Sequence, residues 1–220
     1  MTLIPDKHTF TIWQGATFFE VLTLYSTNDQ TQPRDFYTST LVTGLTVTTN
    51  GTTSATLSGT TGLTANTKYY ISSPSIPAAN SVYFTTGSSL TTGITLSTTC
   101  VAGSGTAVIT KRTINYGAEM IIRDKPQGTS LLTLSTNSSG STVNGIHSTS
   151  TGCSIKLSDD PNTLGQIQLI IADTATAILG TSSTWKTGVY DLTLTQILNP
   201  LTGGVTTDAL LYGGIKVAGV

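Results

Sequence analysis

Charged residues are scarce in this sequence. Only 10% of its 220 residues are Asp, Glu, Lys or Arg, and the formal net charge is −1 at pH 7. About a quarter of the residues of an ordinary soluble domain are charged. There is also no basic cluster that could neutralise phosphate groups, so we expect no nucleic-acid partner. Hydroxyl groups take the place of ions, because Ser and Thr make up roughly a third of the chain.

Cysteine and histidine, which bind many protein metal ions, are also rare. Cys100 and Cys153 are far apart and have no C-x-x-C spacing, which favours two isolated buried thiols, with a disulfide as the alternative. His8 and His147 have no Cys or His neighbours that could complete a metal site, which favours two solvated loop residues. We therefore expect neither a metal nor a cofactor.

Catalytic motifs are missing as well. The sequence has no G-x-S-x-G turn, and no order of acidic, histidine and serine residues suggests a triad. Asp159-Asp160, followed by Asn162, offers oxygen atoms that could surround a calcium ion. Because the segment lacks the alternating ligands of a calcium loop, an Asp-Pro turn between strands is favoured. The sequence predicts a protein that is not an enzyme.

The sequence also lacks long apolar runs. The longest, IQLIIADTATAIL, is interrupted by Asp173 and is too short to span a bilayer. The first residues, MTLIPDKHTF, lack the apolar core of a signal peptide. We expect a soluble protein that is made in a cytoplasm and has no membrane partner.

What the chain does have is an alternation of apolar and polar residues with period two. About fourteen short segments show it, and Gly, Asn, Asp or Pro residues separate them, as between half-buried antiparallel strands. Threonine suits such strands because it is β-branched. The one helix candidate is DTATAILG, where Asp173 or Thr174 would cap a single turn that Gly180 ends. The pattern predicts an all-β protein made of sandwiches or barrels.

Two strand-like segments predict which side chains face the core. In VYDLTLT, Tyr190, Leu192 and Leu194 share one face, which we expect to be buried. Asp191 then lies on the solvent side or caps a neighbouring loop. Trp13 lies in an alternating segment, so we expect it in the core or in a subunit interface.

The distribution of charge predicts two domains. Between residues 43 and 110 the only Asp, Glu, Lys or Arg is Lys68, whereas both flanks have charges at ordinary intervals. We therefore predict a small inserted β-domain at 43–110 and a host domain formed by 1–42 and 111–220. Such insertions are tolerated where the entry and exit of the insert lie together at a loop tip.

Three parts of the host carry an ordered pattern, at residues 10–25, 117–136 and 154–195. They contain QG followed by an aromatic strand, an Arg-containing strand, a Leu-x-Leu strand, and YDL, and the chain ends in LLYGGIKVAGV. In this order they resemble a family of small β-sandwich proteins of tailed bacteriophages. The resemblance implies an antiparallel sandwich, Ig-like or jelly-roll-like. The family's loop before the Arg-containing strand is interrupted here by the insertion.

Residues 60–110 carry a second pattern. A Gly-Leu turn, a strand, the IPA turn within SPSIPAANSVYF, ITLS and a Gly-Ser-Gly loop follow one another. The order resembles a recurrent module of phage tail, fibre and capsid-associated proteins, although Ser75 replaces a usual glycine. The resemblance implies a small β-barrel-like appendage.

The stiff turn in SPSIPAANSVYF has its own physical interpretation. Pro74 and Pro77 fix φ at two points and bias Ser73 and Ile76 toward extended geometry. Ile76 is thereby held as an apolar plug, and we expect the turn to close one end of the small barrel.

These observations predict a non-enzymatic structural protein of a tailed-phage virion, assembled in symmetric copies as a tail, baseplate or fibre-attachment component. Its partners would be other virion proteins and itself, and its location the virion. A capsid decoration or head-fibre protein is the alternative within that class. The alternative of another class is a carbohydrate-binding adhesin module that recognises a host surface glycan. The residues predicted to make contact at such an interface are Trp185, Tyr69, Tyr70, Ile76 and Tyr83.

Overall fold

The structure is a computed structural model that describes residues 6–25, 31–76, 81–179, 187–197 and 205–218. Nearly all of its regular structure is β, so the predicted all-β class is confirmed. The strands are β1 (Asp6–Lys7), β2 (Phe10–Trp13), β3 (Phe18–Thr23), β4 (Tyr37–Thr49), β5 (Ser54–Leu57), β6 (Lys68–Ser72), β7 (Tyr83–Thr85), β8 (Gly93–Thr95), β9 (Gly103–Ile114), β10 (Tyr116–Arg123), β11 (Ser130–Ser135), β12 (Cys153–Leu157), β13 (Gln166–Ile171), β14 (Thr187–Ile197) and β15 (Val205–Ala218). One 3₁₀ turn (Pro161–Thr163) and one helix, α1 (Asp173–Leu179), complete the regular elements of the described residues.

Backbone contacts divide the chain into two compact units. The first unit contains Met1–Phe36, Asn115–Ser158 and Leu164–Val220, and the second contains Tyr37–Ile114 and Asp159–Thr163. The predicted boundaries at residues 43 and 110 fall inside strands β4 and β9, which pair from Tyr37↔Ile114 to Thr49↔Gly103. Backbone hydrogen bonds between strands do not depend on side-chain charge. The loss of charged residues at 43 and their return at 110 therefore need not coincide with the ends of the strands.

The first unit is a β-sandwich of two sheets. Strands β1, β15, β14, β10 and β11 form the larger sheet in that order, with β2 also paired to β15, and β12, β13 and β3 form the smaller sheet. Strands β1 and β2 run parallel to β15, and the other pairs are antiparallel. Alternate residues of each sheet are buried, as on β13 and β14.

The predicted core face of β14 is confirmed. Tyr190, Leu192 and Leu194 are buried, and Asp191 is exposed. Trp13, by contrast, is 57% exposed at the end of β2, so it does not belong to the core. The predicted helix is also present, and Asp173 begins it: its Oδ1 accepts a hydrogen bond of 2.7 Å from the backbone N–H of Thr174. Gly180, predicted to end the helix, lies outside the described residues.

The second unit is a single curved sheet in the order β7-β6-β9-β4-β5-β8. Its two outer strands, β7 and β8, approach each other. Just after β8, the backbone N–H of Ser97 donates a hydrogen bond of 2.8 Å to the carbonyl oxygen of Tyr83 in β7. The sheet is thus a nearly closed barrel, as predicted. Inside it, Ile76, Val82 and Phe84 belong to one apolar cluster. The second proline of the stiff turn, Pro77, lies outside the described residues.

Both cysteines are free and buried, as the sequence analysis favoured. Within the described ranges, no helix has the length and apolar character that crossing a membrane requires.

Candidate functional site

The charged side chains of the second unit are few and largely gathered in one place. They are Lys68, Lys111, Arg112, Asp159 and Asp160. Because β6 and β9 are antiparallel with Tyr70 opposite Thr110, Lys68 and Arg112 lie on the same face of the sheet. Lys111, the next residue along β9, points to the opposite face. The two cations that share a face therefore lie apart from Lys111 on the sheet.

A row of side chains crosses this face at right angles to the strands. Tyr83, Tyr70, Thr110 and Leu41 are consecutive partners on β7, β6, β9 and β4. The neighbours of Tyr70 along β6 are Tyr69 and Ile71, and both point to the other face, into the apolar cluster. The alternation of β6 thus separates a core tyrosine from a tyrosine on the outer face.

Lys68 is held by a carboxylate and two aromatic rings. Its Nζ lies 2.9 Å from Oδ2 of Asp159, 4.2 Å from the ring centre of Tyr83 and 4.8 Å from that of Tyr70. Burial lowers the pKa of Lys68, but the nearby Tyr70 hydroxyl and Asp159 carboxylate outweigh burial, so the pKa is raised overall. The ammonium group therefore stays charged at neutral pH.

The hydroxyl of Tyr70 is buried beside the ion pair of Lys68 and Asp159. The residue is only 6% exposed, and among the described residues no group meets hydrogen-bond geometry with its hydroxyl oxygen. Leaving a buried polar group unsatisfied costs about 1–3 kcal/mol. Burial, opposed in part by Lys68, raises the pKa of Tyr70, so the hydroxyl remains protonated and able to donate.

A groove of about 380 Å³ opens on the same face. Tyr70, Thr110 and Arg112 form part of its wall, and Pro161 and Asn162 border it from the segment Asp159–Thr163. The carboxylate of Asp160 accepts a hydrogen bond of 2.8 Å from the backbone N–H of Asn162, and this bond stabilises the turn that presents Asn162. The groove lies entirely within the second unit.

Arg112 and Tyr37 add a second cation–aromatic contact. The Cζ atom of Arg112 lies 5.4 Å from the ring centre of Tyr37. Burial, reinforced by the charge of Asp159, raises the pKa of Tyr37 to about 12, although Arg112 opposes the shift. Among the described residues of the second unit, the charged groups near the groove are those of Lys68, Arg112 and the two aspartates.

The structure places the predicted contact residues in three kinds of environment. Tyr70 and Tyr83 lie side by side, with their ring centres 6.0 Å apart, and Tyr83 is 39% exposed. Tyr69 is fully buried and stacks on Phe84, and Ile76 is buried in the same cluster. The structure does not describe Trp185. An interface role for these residues remains a prediction.

Sequence analysis did not predict that Asp159 pairs with Lys68 on the face that also carries Arg112. Lys68 did attract attention as the only charge between residues 43 and 110, and that isolation was the available signal. Asp159 is 91 residues from Lys68 in sequence, so nothing local could indicate the pair. The interpretation of Asp159-Asp160 as part of a turn agrees with the hydrogen bond that Asp160 accepts and with the 3₁₀ turn that follows it.

The other candidate residues are engaged in ordinary contacts. His147 is exposed, and its Nδ1 lies 2.9 Å from Oε2 of Glu119. The ring of His8 makes an edge contact with Phe10. Within the part of the chain that the structure describes, no group of three or more His, Cys, Asp or Glu side chains could hold a metal ion.

A wider groove of about 620 Å³ lies on the first unit. Glycines at 188, 213 and 214 form part of its lining, together with Tyr190 and Tyr212. Among the described residues that line it, no buried side-chain polar atom lacks a hydrogen bond.

Comparison with known proteins gives no independent guide to this site: no family model matches the chain, and no curated protein matches it.

Proposed function

We propose that this chain is a non-enzymatic structural protein of a tailed-phage virion, a tail, baseplate or fibre-attachment component present in symmetric copies. Two ordered sequence patterns support the proposal, one over the sandwich and one over the barrel-like unit. The architecture is compatible with it, because antiparallel β-units with strand edges at the surface are well suited to repeated contacts between copies.

The observation that carries the proposal is the exposed face of β3. Among the described residues, β3 pairs with β13 alone, so it lies at an edge of the smaller sheet. Its outward side chains include Phe19, which is 57% exposed, and Val21, which is 38% exposed. Long apolar edge strands are normally blunted by charge or covered, because they pair readily with another chain. A second copy of this chain is the partner that a symmetric assembly would supply.

Sedimentation of the purified chain tests self-association. We expect an oligomer that Phe19→Lys weakens, because the substitution puts a charge on the exposed edge. Val101→Lys is the matched control: Val101 is 68% exposed but lies outside the strands. A monomeric wild-type chain, or equal weakening by the two substitutions, counts against the assembly.

Quantitative mass spectrometry of purified particles tests the virion role itself. A copy number far below that of the major capsid protein indicates a tail or baseplate component. A copy number close to it favours the alternative of a capsid decoration protein. Absence of the chain from particles that are otherwise complete overturns the proposal.

A carbohydrate-binding adhesin module is a second candidate of another class. The observation that favours it is the groove of the second unit, next to the exposed ring of Tyr83. A glycan array probed with the whole chain tests this candidate, and an array without bound glycans counts against it.

A further inference from the structure

We infer that the wider groove of the first unit binds a neutral oligosaccharide, with the Tyr212 ring against the face of one sugar and the Asp191 carboxylate on its hydroxyl groups. This inference goes beyond the virion role and does not rest on it. It also concerns a different groove from the one that favours the adhesin candidate.

The groove lies on the outer face of the larger sheet. Alternate residues of β15 and their partners on β14 line it, in the pairs Tyr212↔Asp191, Gly214↔Val189 and Lys216↔Thr187. Tyr212 and Lys216 are four residues apart, which is roughly 13 Å along an extended strand. The volume of about 620 Å³ lies within the range of small-molecule sites, roughly 300–1,000 Å³. A short chain of pyranose rings fits a groove of this length.

The two side chains at one end of the groove are the first argument. Tyr212 is 46% exposed and Asp191 is exposed, and because they are direct partners across β14 and β15, their side chains are neighbours. Among the described residues, Asp191 has neither an ion pair nor a side-chain hydrogen bond. A carboxylate accepts hydrogen bonds from hydroxyl groups, and an aromatic face packs against C–H groups. A pyranose ring presents both, at its edge and on its face.

Gly214, in the floor of the groove, is the second argument. Its φ lies outside the left-handed range, and a Cβ there would have its nearest neighbours at 3.9 Å, so neither the backbone nor the packing requires glycine. The adjacent Gly213 differs, because a Cβ there would collide with the carbonyl oxygen of His8. A glycine inside a strand weakens the strand and often marks the close approach of a ligand. Gly214 keeps the floor open between Tyr212 and Lys216.

Charge favours a neutral ligand. Among the described residues that line the groove, Asp191 is the one carboxylate and Lys216 the one ammonium group. They lie at opposite ends, since Lys216 is the partner of Thr187. A charged ligand that fills the groove would be attracted at one end and repelled at the other. Hydroxyl groups can donate to Asp191 and accept from Lys216 without this conflict.

A peptide is the alternative that the test must exclude. Peptides that bind to β-sheets usually pair with an open strand edge. Under the groove, β14 is already paired with β10 on one side and with β15 on the other. The backbone of the floor is therefore occupied, and a ligand has to bond to side chains.

Amide-resolved NMR titration of the whole chain with cellobiose and with maltose provides the test. Both are neutral disaccharides of glucose, and they differ in the linkage between the rings. Tetra-alanine is the peptide control, because its terminal charges could meet Asp191 and Lys216. We expect saturable shifts of the amides of Val189, Asp191 and Gly214 with at least one disaccharide, and no saturable shifts with tetra-alanine.

Two variants with matched controls locate the site. Tyr212→Ala removes the aromatic face and should weaken binding about threefold to tenfold. Tyr25→Ala is its control, because Tyr25 is also 46% exposed but does not line the groove. Gly214→Val fills the floor and should weaken binding about tenfold or more. Gly93→Val is its control, since Gly93 lies in β8 and a Cβ there has no neighbour within 4 Å.

Asp191→Asn tests the carboxylate. The substitution keeps the size of the side chain but removes its charge, so binding should weaken about threefold to tenfold. This variant and the four others are first checked for an unchanged amide spectrum outside the substituted region.

Several outcomes would overturn the inference. They are no saturable binding of either disaccharide, saturable binding of tetra-alanine at the same amides, or equal effects of a variant and its control. If Gly214→Val does not fold, Tyr212→Ala against Tyr25→Ala decides alone. Disaccharide binding by a chain that is absent from virions would refute the structural proposal and leave this inference intact.

Discussion

The ammonium nitrogen of Lys68 lies 2.9 Å from the carboxylate of Asp159, although 91 residues separate the two in sequence. The pair attaches the segment Asp159–Thr163 to β6 and so borders the groove. About a third of each side chain is exposed, at 35% and 37%. Solvent therefore screens the interaction, and its main effect is on position more than on stability.

A double-mutant cycle with Lys68→Met and Asp159→Asn measures the strength of this pair. We expect a coupling free energy of about 0.5–1 kcal/mol, the usual value for a partly exposed ion pair. The coupling should shrink at 1 M salt, because ions screen exposed charges. Urea denaturation of the four proteins gives the value, and a coupling that is indistinguishable from zero at low salt would contradict the prediction.

The two adjacent tyrosines of β6 should differ in how much stability they lose with their hydroxyl groups. The Tyr69 hydroxyl accepts a hydrogen bond of 2.7 Å from the backbone N–H of Thr64, so Tyr69→Phe should lower the free energy of unfolding by about 1 kcal/mol. Tyr70→Phe removes a hydroxyl with which no described group meets hydrogen-bond geometry, so it should change stability by less than about 0.5 kcal/mol, or raise it. Thermal unfolding of both variants checks the difference. Equal destabilisation would mean that the Tyr70 hydroxyl is hydrogen-bonded.

Gly213 on β15 should tolerate no side chain. A Cβ at this position would lie 1.7 Å from the carbonyl oxygen of His8, which also accepts a hydrogen bond from the Tyr190 hydroxyl. Because the obstacle is backbone, Gly213→Ala should cost about 3 kcal/mol or more. Gly140→Ala is the matched control, since a Cβ there has no neighbour within 4 Å, and its expected cost is below about 0.5 kcal/mol. Similar unfolding free energies for the two variants would refute this close packing of β15 and His8.

Cys153 should make the protein less stable as the solution becomes alkaline. Burial raises the pKa of its thiol to about 11 from an ordinary value of 9.0. Above pH 9 the unfolded chain loses this proton while the folded chain keeps it, so the stability present at lower pH falls as the pH rises from 9 toward 11. Each pKa unit corresponds to about 1.4 kcal/mol.

Denaturation at pH 8 and pH 10 measures this effect in the wild type and in Cys153→Ala. The restriction to pH 10 limits the contribution of Tyr37, whose raised pKa acts in the same direction at higher pH. We expect a smaller loss of stability in Cys153→Ala. The same loss in both proteins would show that Cys153 titrates as freely when folded as when unfolded.

Predictions from sequence succeeded where the pattern is local. The alternation in VYDLTLT assigned Tyr190 and Leu192 to the core and Asp191 to solvent, because successive side chains of a strand point to opposite faces. The start of α1 at Asp173 could be predicted for the same reason, since the signal lies within a few neighbouring residues. The full extent of β4 and β9 was not predicted, because the outer residues of these strands are polar and do not clearly alternate.

Residue type and short spacing along the chain were sufficient to predict the all-β class and the core face of β14, and they favoured two free, buried cysteines over a disulfide. Two features became known from the tertiary structure alone: Asp159–Thr163 belongs with Tyr37–Ile114, and Tyr70 and Arg112 line one groove. The physical reason is register. Strand pairing over long sequence separations decides which residues of β6, β9 and β4 become neighbours. This pairing is made by backbone hydrogen bonds, so it cannot be read from amino-acid composition.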